Sequence, residues 1–296
     1  MKIGMIGAES KHVEFFSTPI NRDKFFGNAR VSCIWGGDTT EDRLLSCSSS
    51  EGIEQIAKTP SEVIDSSEAV IITLRNGNMH AEYALECIKK RKPVFIDKPF
   101  TVDPADGFRI LETAREYGTP FTGGSTLCFL PEIPILQDKF ISSSEAEISY
   151  RADPNSPYGG WYFYGSHLTD LCATICGQNA TAVKADISRE HVIADVFYRT
   201  KENCREDASR DVCPWQPTAN KKVQIYSAPD LPHPIVKMKE THILDDTACY
   251  LYGLKAFFDV ISGNSSPDAD RLLFSVKLMD AIMRSAAAKS VVNIEA

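Results

Sequence analysis

At 296 residues the chain exceeds the ~100 to 200 residues of one typical domain, so two domains with separate cores are expected. Hydrophobic content of 43% and the lack of a long charge run exclude a disordered chain. A net charge of -8 without a Lys/Arg cluster excludes nucleic acid as a direct ligand.

The N-terminal MKIGMIGAESK has too short an apolar run for a signal peptide, and no stretch approaches the ~20 residues of a membrane span. The expectation is a cytoplasmic protein. The nine cysteines are scattered without CxxC pairs. Cys172 and Cys176 can share a helix face and Cys204 and Cys213 bracket a polar loop, but zinc spacing is lacking, so buried reduced thiols are expected and no metal site.

In chain order, KIGMI (2–6), RVSCIW (30–35), AVIIT (69–73) and PVFID (93–97) read as parallel strands buried on both faces. Helices fit between them: Thr59 and Pro60 supply an N-cap and first-turn proline, HAEYALECIKK carries an apolar stripe, and Asp103-Pro104 opens a helix closed by Gly118. This alternation predicts a doubly wound α/β domain over 1–122. Beyond it, EAEISYRA, AVKADIS, HVIADVFYR, KKVQIYS and IVKMKETHI read as extended segments without long helices between them. Two helices and a last strand VVNI follow, giving an α+β domain over 123–296 built on a mostly antiparallel sheet. The exposed face of such a sheet is commonly covered across a two-fold axis, so a homodimer or homotetramer is expected.

The first strand runs into GAESKH. Of a G-x-G-x-x-G dinucleotide fingerprint only Gly7 stands, with Glu9 and His12 where the other glycines belong. Phosphate binding through Gly7, Ser10 and Lys11 and a plain βα turn capped by Ser10 both fit. After the second strand, Asp38 favours a free ribose 2'-hydroxyl and hence NAD, while Arg43 favours a 2'-phosphate; the balance tilts to NAD over NADP. FIDKPF then sets Asp97, Lys98 and Pro99 at the C-terminal end of a buried strand, where doubly wound sheets bind ligands.

Together KIGMIG, IITLRNGNMHAEYALECIKKRKPVFIDKPF and GGWYFYGSHLTD resemble the glucose-fructose oxidoreductase, inositol dehydrogenase and rhizopine-catabolism (Gfo/Idh/MocA) family. The resemblance runs to SAAAKSVVNI and implies a Rossmann fold with NAD or NADP as cofactor. It places Lys98 at the lysine that contacts nicotinamide ribose and substrate hydroxyl, His167 at the catalytic histidine, and Gly165 and Asp170 in the same Gly-x-His-x-x-Asp motif. It adds Thr73, Leu74, Arg75, Asn76, His80, Asp97 and Pro99 to the cofactor site. Tyr158, Trp161 and Tyr164 are candidate substrate contacts, although aromatics in GGWYFYG also suit a core. Departures are Phe163 where the family carries an aspartate, Cys128 in place of an arginine, the degraded glycine loop, and a longer loop at TLRNGNMH.

The implied activity is hydride transfer between a nicotinamide and a secondary alcohol of a small-molecule sugar or polyol, His167 acting as general acid/base and Lys98 polarising the oxygen. Two alternatives stay open. One is a dinucleotide-binding sensor without catalysis; the other is a lyase or hydrolase that uses a bound nicotinamide as a transient oxidant.

Overall fold

The computed structural model describes residues 1–198 and 221–294; the loop between Cys204 and Cys213 lies outside the described residues. The chain begins with β1 (Lys2–Ile6), α1 (His12–Ser17), β2 (Arg30–Trp35), α2 (Glu41–Glu51), β3 (Gln55–Ile56), α3 (Pro60–Ser66), β4 (Ala69–Ile72), α4 (His80–Lys89), β5 (Val94–Ile96), α5 (Pro104–Tyr117) and β6 (Phe121–Gly123). These six strands form one parallel sheet in the order β3-β2-β1-β4-β5-β6, the doubly wound arrangement expected from strands that are apolar on both faces. The read punctuation is in place: the Thr59 side chain accepts from the Glu62 amide, Asp103 accepts from Ala105, and Gly118 ends α5 in the left-handed region.

The second half contains α6 (Ile133–Ile141), β7 (Glu145–Tyr150), α7 (Tyr162–Cys176), β8 (Ala180–Ile187), β9 (Val192–Tyr198), β10 (Lys221–Ser227), β11 (Ile235–Lys237), β12 (Thr241–Ile243), α8 (Cys249–Ile261), α9 (Ala269–Ala288) and β13 (Val292–Asn293). Its sheet runs β12-β11-β7-β10-β9-β8-β13, antiparallel except where β10 pairs with β7.

Two expectations need correction. The extended segments are interrupted by a long helix, α7, which is buried at nearly every position, so its sequence has no polar stripe to betray a 3.6-residue period. IVKMKETHI is two short strands rather than one, turning where the Met238 amide donates to the Glu240 carbonyl.

The two halves are joined by their last helices. Leu254 and Phe257 of α8 enter the core formed by Ile3, Phe16 and Phe95 on one face of the first sheet, while Leu272 and Val276 of α9 enter the core with Ile96, Phe100 and Ile110 on the other. Phe257 is fully buried edge-on to Phe95 of β5. Phe257→Ala should therefore lower unfolding free energy by about 3–5 kcal/mol, measured by urea denaturation, with both halves melting in one transition.

Candidate functional site

Lys98 follows β5 at the C-terminal edge of the parallel sheet and is almost completely buried, at 2% exposure. Its ammonium donates to the Phe163 carbonyl at 3.3 Å and lies 3.8 Å from the Phe163 ring centroid and 4.8 Å from that of Tyr164. Burial lowers its pKa to about 8, against the opposing charge of Asp97, with Arg75 adding to the fall. An ammonium carries three donors, so the single bond to Phe163 leaves hydrogens for a ligand.

His167 lies one turn beyond Phe163 on α7. Its Nδ1 is 2.6 Å from the Ser125 hydroxyl, and the rings of Tyr164 and Tyr150 stand 5.3 and 5.6 Å from the imidazole. Burial, reinforced by the positive charge of Lys98, holds its pKa well below the ordinary value, so the imidazole is neutral at neutral pH. Asp170, one turn further, explains why Ser125 is fixed: its Oδ2 accepts from the Ser125 amide at 2.6 Å, and its Oδ1 faces Arg271 of α9 at 3.4 Å. Gly124 must lack a side chain here, because its φ is +74° and a Cβ would run into Asp170. Hydroxyls both donate and accept, so Ser125 suits either tautomer of His167.

The geometry thus brings Lys98 and His167 against one shared ring, Tyr164. Tyr158 stands nearby, exposed, with the Arg75 guanidinium 4.3 Å above its ring and Phe163 5.1 Å away. Trp161 is a correction: it is 1% exposed, its indole donates to the Ser227 hydroxyl, and Gly165 rests on its ring, so it belongs to the core and not to a substrate surface. Exposed Asp153 accepts from the Asn155 amide in a surface turn.

Residues 1–124 match the family model described as "Oxidoreductase family, NAD-binding Rossmann fold" (GFO_IDH_MocA). The similarity to the Gfo/Idh/MocA family is thus carried by residues 1–124. A stretch of 80 residues, 27% of the chain, is 32% identical to the myo-inositol 2-dehydrogenase of Thermotoga maritima, and 124 residues, 40% of the chain, are 25% identical to inositol 2-dehydrogenase 2 of Saccharopolyspora erythraea. The matched stretches span only 24% and 34% of those relatives. Among solved structures, a probable dehydrogenase from Thermotoga maritima superposes with a TM-score of 0.76 at 18% identity over 99% of both chains. The scyllo-inositol dehydrogenase of Lactobacillus casei, solved with NAD(H) and scyllo-inositol, gives 0.78 at 13% identity over 99% of both. At such identities these likenesses speak to the fold.

The turn after β1 fits a dinucleotide at its two ends. Gly7 has φ +111°, and a Cβ on it would come within 2.6 Å of the Leu74 amide nitrogen, so the backbone turns where only glycine can pass. Asp38 is exposed at the end of β2, next to Gly37. Arg43, the residue that would favour a 2'-phosphate, is engaged within the protein: its guanidinium is taken by the Glu14 carboxylate, at 2.7 Å for one bond, and by the Ser10 carbonyl. The Ser10 hydroxyl accepts from the His12 amide, but the helix starts from Lys11, which is exposed, and carries no side-chain cap, so the cap expected at Ser10 is corrected. Glu9 folds towards Gly37 and accepts from the Asp38 amide; burial raises its pKa and favours the neutral acid.

Other candidate cofactor residues are committed within the protein. The Thr73 hydroxyl donates to the Gly7 carbonyl at 2.8 Å, and Leu74 is buried beneath the same turn. His80 is fully buried between the carbonyls of Pro99 and Leu74, at 2.7 and 2.9 Å, with burial outweighing both and lowering its pKa; neither ring nitrogen remains for a cofactor. Pro99 follows a cis peptide and packs on Gly77; Asn76 is exposed and caps the short turn over 77–79. Asp97 accepts from His12. Cys128, standing where the family has arginine, is buried, and the guanidinium of this region comes from Arg271 instead. The sequence reading missed Ser125, Arg271 and the partnership of His12 with Asp97 and Tyr250, each of which joins positions far apart in the chain.

Seven cysteines among the described residues are free and buried, and no group of three or more potential metal-ligating side chains occurs among them. No helix among the described residues is long and apolar enough to cross a membrane.

Because His167 holds its proton more weakly when folded than in an unfolded chain, the unfolded state takes up more protons as pH falls below about 7. Its stabilising contribution is whole above that range and is lost on acidification. His167→Gln should flatten the fall in stability between about pH 7 and pH 5 by up to about 1.4 kcal/mol per pH unit, read by urea unfolding across pH.

Proposed function

We propose that this protein is an NAD-dependent dehydrogenase that interconverts a secondary alcohol of a sugar, polyol or related small molecule and its ketone. The observation that supports this reading most is the meeting of a buried ammonium, Lys98, and a neutral imidazole, His167, on the Tyr164 ring at the ligand-binding end of the parallel sheet. Residues 1–122 serve as the dinucleotide-binding unit and 123–296 as the substrate-binding and oligomerisation unit. A bound nicotinamide would supply the hydride acceptor or donor.

The protein's own part is to orient the alcohol and move one proton. In oxidation, Nε2 of His167 takes the hydroxyl proton while its Nδ1–H donates to Ser125, and Lys98 stabilises the negative charge that develops on oxygen. In reduction the same step runs backwards: the imidazolium, its Nδ1–H still donating to Ser125, returns the Nε2 proton to the oxygen and is left neutral. Tyr158 and Tyr164 offer ring faces and hydroxyls to the substrate. Phe163 holds Lys98 by its π face where a carboxylate would hold it by charge, which leaves the ammonium easier to deprotonate.

Asp38 would take the adenosine ribose, and with Arg43 engaged by Glu14 a 2'-phosphate finds no free guanidinium there. A fluorescence titration should give at least about tenfold tighter binding of NADH than of NADPH, about 1.4 kcal/mol, and Lys98→Ala should weaken NADH binding. Equal affinities would remove the NAD preference.

A second reading, a dinucleotide-binding sensor that has lost catalysis, is favoured by Phe163 and by the Glu9 carboxylate in the phosphate turn. The two part on turnover. The dehydrogenase reading expects activity on polyols or sugars that His167→Ala reduces by about 10²-fold or more while NADH affinity is retained, with wild-type turnover falling as pH rises through about 8, where Lys98 loses its proton. The sensor reading expects no turnover until Phe163→Asp is introduced. In either case the protein is read as cytoplasmic and as a homodimer or homotetramer, and light scattering tests the assembly.

A further inference from the structure

Behind Lys98 runs a second chain of polar groups that the acid/base pair does not use. Tyr250 of α8 places its hydroxyl 2.9 Å from Nε2 of His12, the first residue of α1, and Nδ1 of His12 meets the Asp97 carboxylate at the end of β5. All three are largely withdrawn from water, and Phe15 and Phe16 pack their rings 4.8 and 5.1 Å from that of Tyr250. Ionised Asp97 accepts, so Nδ1 carries the hydrogen and donates, and Nε2 is joined to the Tyr250 hydroxyl, which burial keeps neutral by raising its pKa well above the ordinary value.

The carboxylate at the end of this chain is the neighbour of Lys98. Groups that act on Lys98 electrostatically are Asp97 on its own segment, Arg75 from the loop after β4, His80 of α4 and His167 of α7, with the Tyr164 ring in contact. Of these Asp97 is the anion. Asp97 in turn is faced by His12, Lys98 and His80, and by Cys249 and Tyr250 of α8. Burial works against its ionised form, and the two largest effects that oppose burial are the charge and the hydrogen bond of His12; the balance leaves its pKa below the ordinary value.

We infer that His12 and Tyr250 are positioning residues, which hold Asp97 as a carboxylate behind Lys98 and thereby keep Lys98 an ammonium in a site that excludes water. The inference rests on the reading of Lys98 as the group that polarises the substrate oxygen. It also accounts for an imidazole where a dinucleotide turn would carry glycine: His12 reaches inward to Asp97 rather than outward to a phosphate. Without His12 the buried carboxylate loses its main support and protonates, and Lys98, left without an anion, gives up its proton more readily.

The test is the pH dependence of Lys98 acetylation by acetic anhydride in the full-length protein, read by mass spectrometry of the Lys98 peptide. The wild-type midpoint is expected near about 8. His12→Gln should lower it by roughly one unit, Tyr250→Phe by less, and Asp97→Asn by at least as much as His12→Gln. Should His12→Gln fail to fold, Tyr250→Phe, which removes a single oxygen, carries the test. Midpoints that stay put or rise while melting temperatures fall would reduce the chain to a structural tie and overturn the inference. NADH added to the wild-type protein should slow acetylation; shifted midpoints without NADH protection would uphold the positioning role and overturn the cofactor reading instead.

Discussion

Keeping an ammonium charged away from water is the constraint around which this structure is arranged. A buried cation persists only where protein groups replace its hydration, and at Lys98 the replacements come from distant parts of the chain: the Phe163 carbonyl, the faces of Phe163 and Tyr164, and the carboxylate of Asp97. Lys98 ends a strand of the first sheet, and the groups above it ride on a helix of the second half. The end of β5 and the start of α7 must therefore be held in register. The burial of α8 and α9 on opposite faces of the first sheet does this, because Phe257 and Leu272 cannot leave those cores without exposing them.

The same economy runs through α7. Phe163, His167 and Asp170 lie on successive turns of one helix face, and each reaches a different group: the ammonium, the Ser125 hydroxyl and the Ser125 amide. Asp170 does not touch the imidazole. It fixes the segment that does, and buried Arg271 offsets part of the cost of its charge, burial still raising its pKa. Phe163 meets the Lys98 ammonium by a cation–π contact, weaker than the charge pair a carboxylate would make there.

The first half of the fold was legible because its signals are local. Strands buried on both faces are continuous apolar runs, and a threonine or aspartate before a proline marks a helix start whatever lies elsewhere. Helix α7 failed that test for the opposite reason: a helix enclosed on every side has no polar face, so its pattern resembles neither an amphipathic helix nor an alternating strand. Trp161 was open to two readings in the sequence, and only its neighbours Ser227 and Gly165 show that it fills the core.

For the site, the sequence by itself singled out the candidates for the chemistry: a lysine before proline at the end of a buried strand, and a histidine in a Gly-x-His-x-x-Asp motif. Tertiary structure decided the state in which those residues are held. The low pKa of His167, the poised ammonium of Lys98, the diversion of Arg43 to Glu14 and the alliance of His12 with Asp97 and Tyr250 depend on burial and on partners up to 238 positions away. Residue type fixes what a group can do. Its protonation and direction are set by the water it has lost and the charges folding brings beside it.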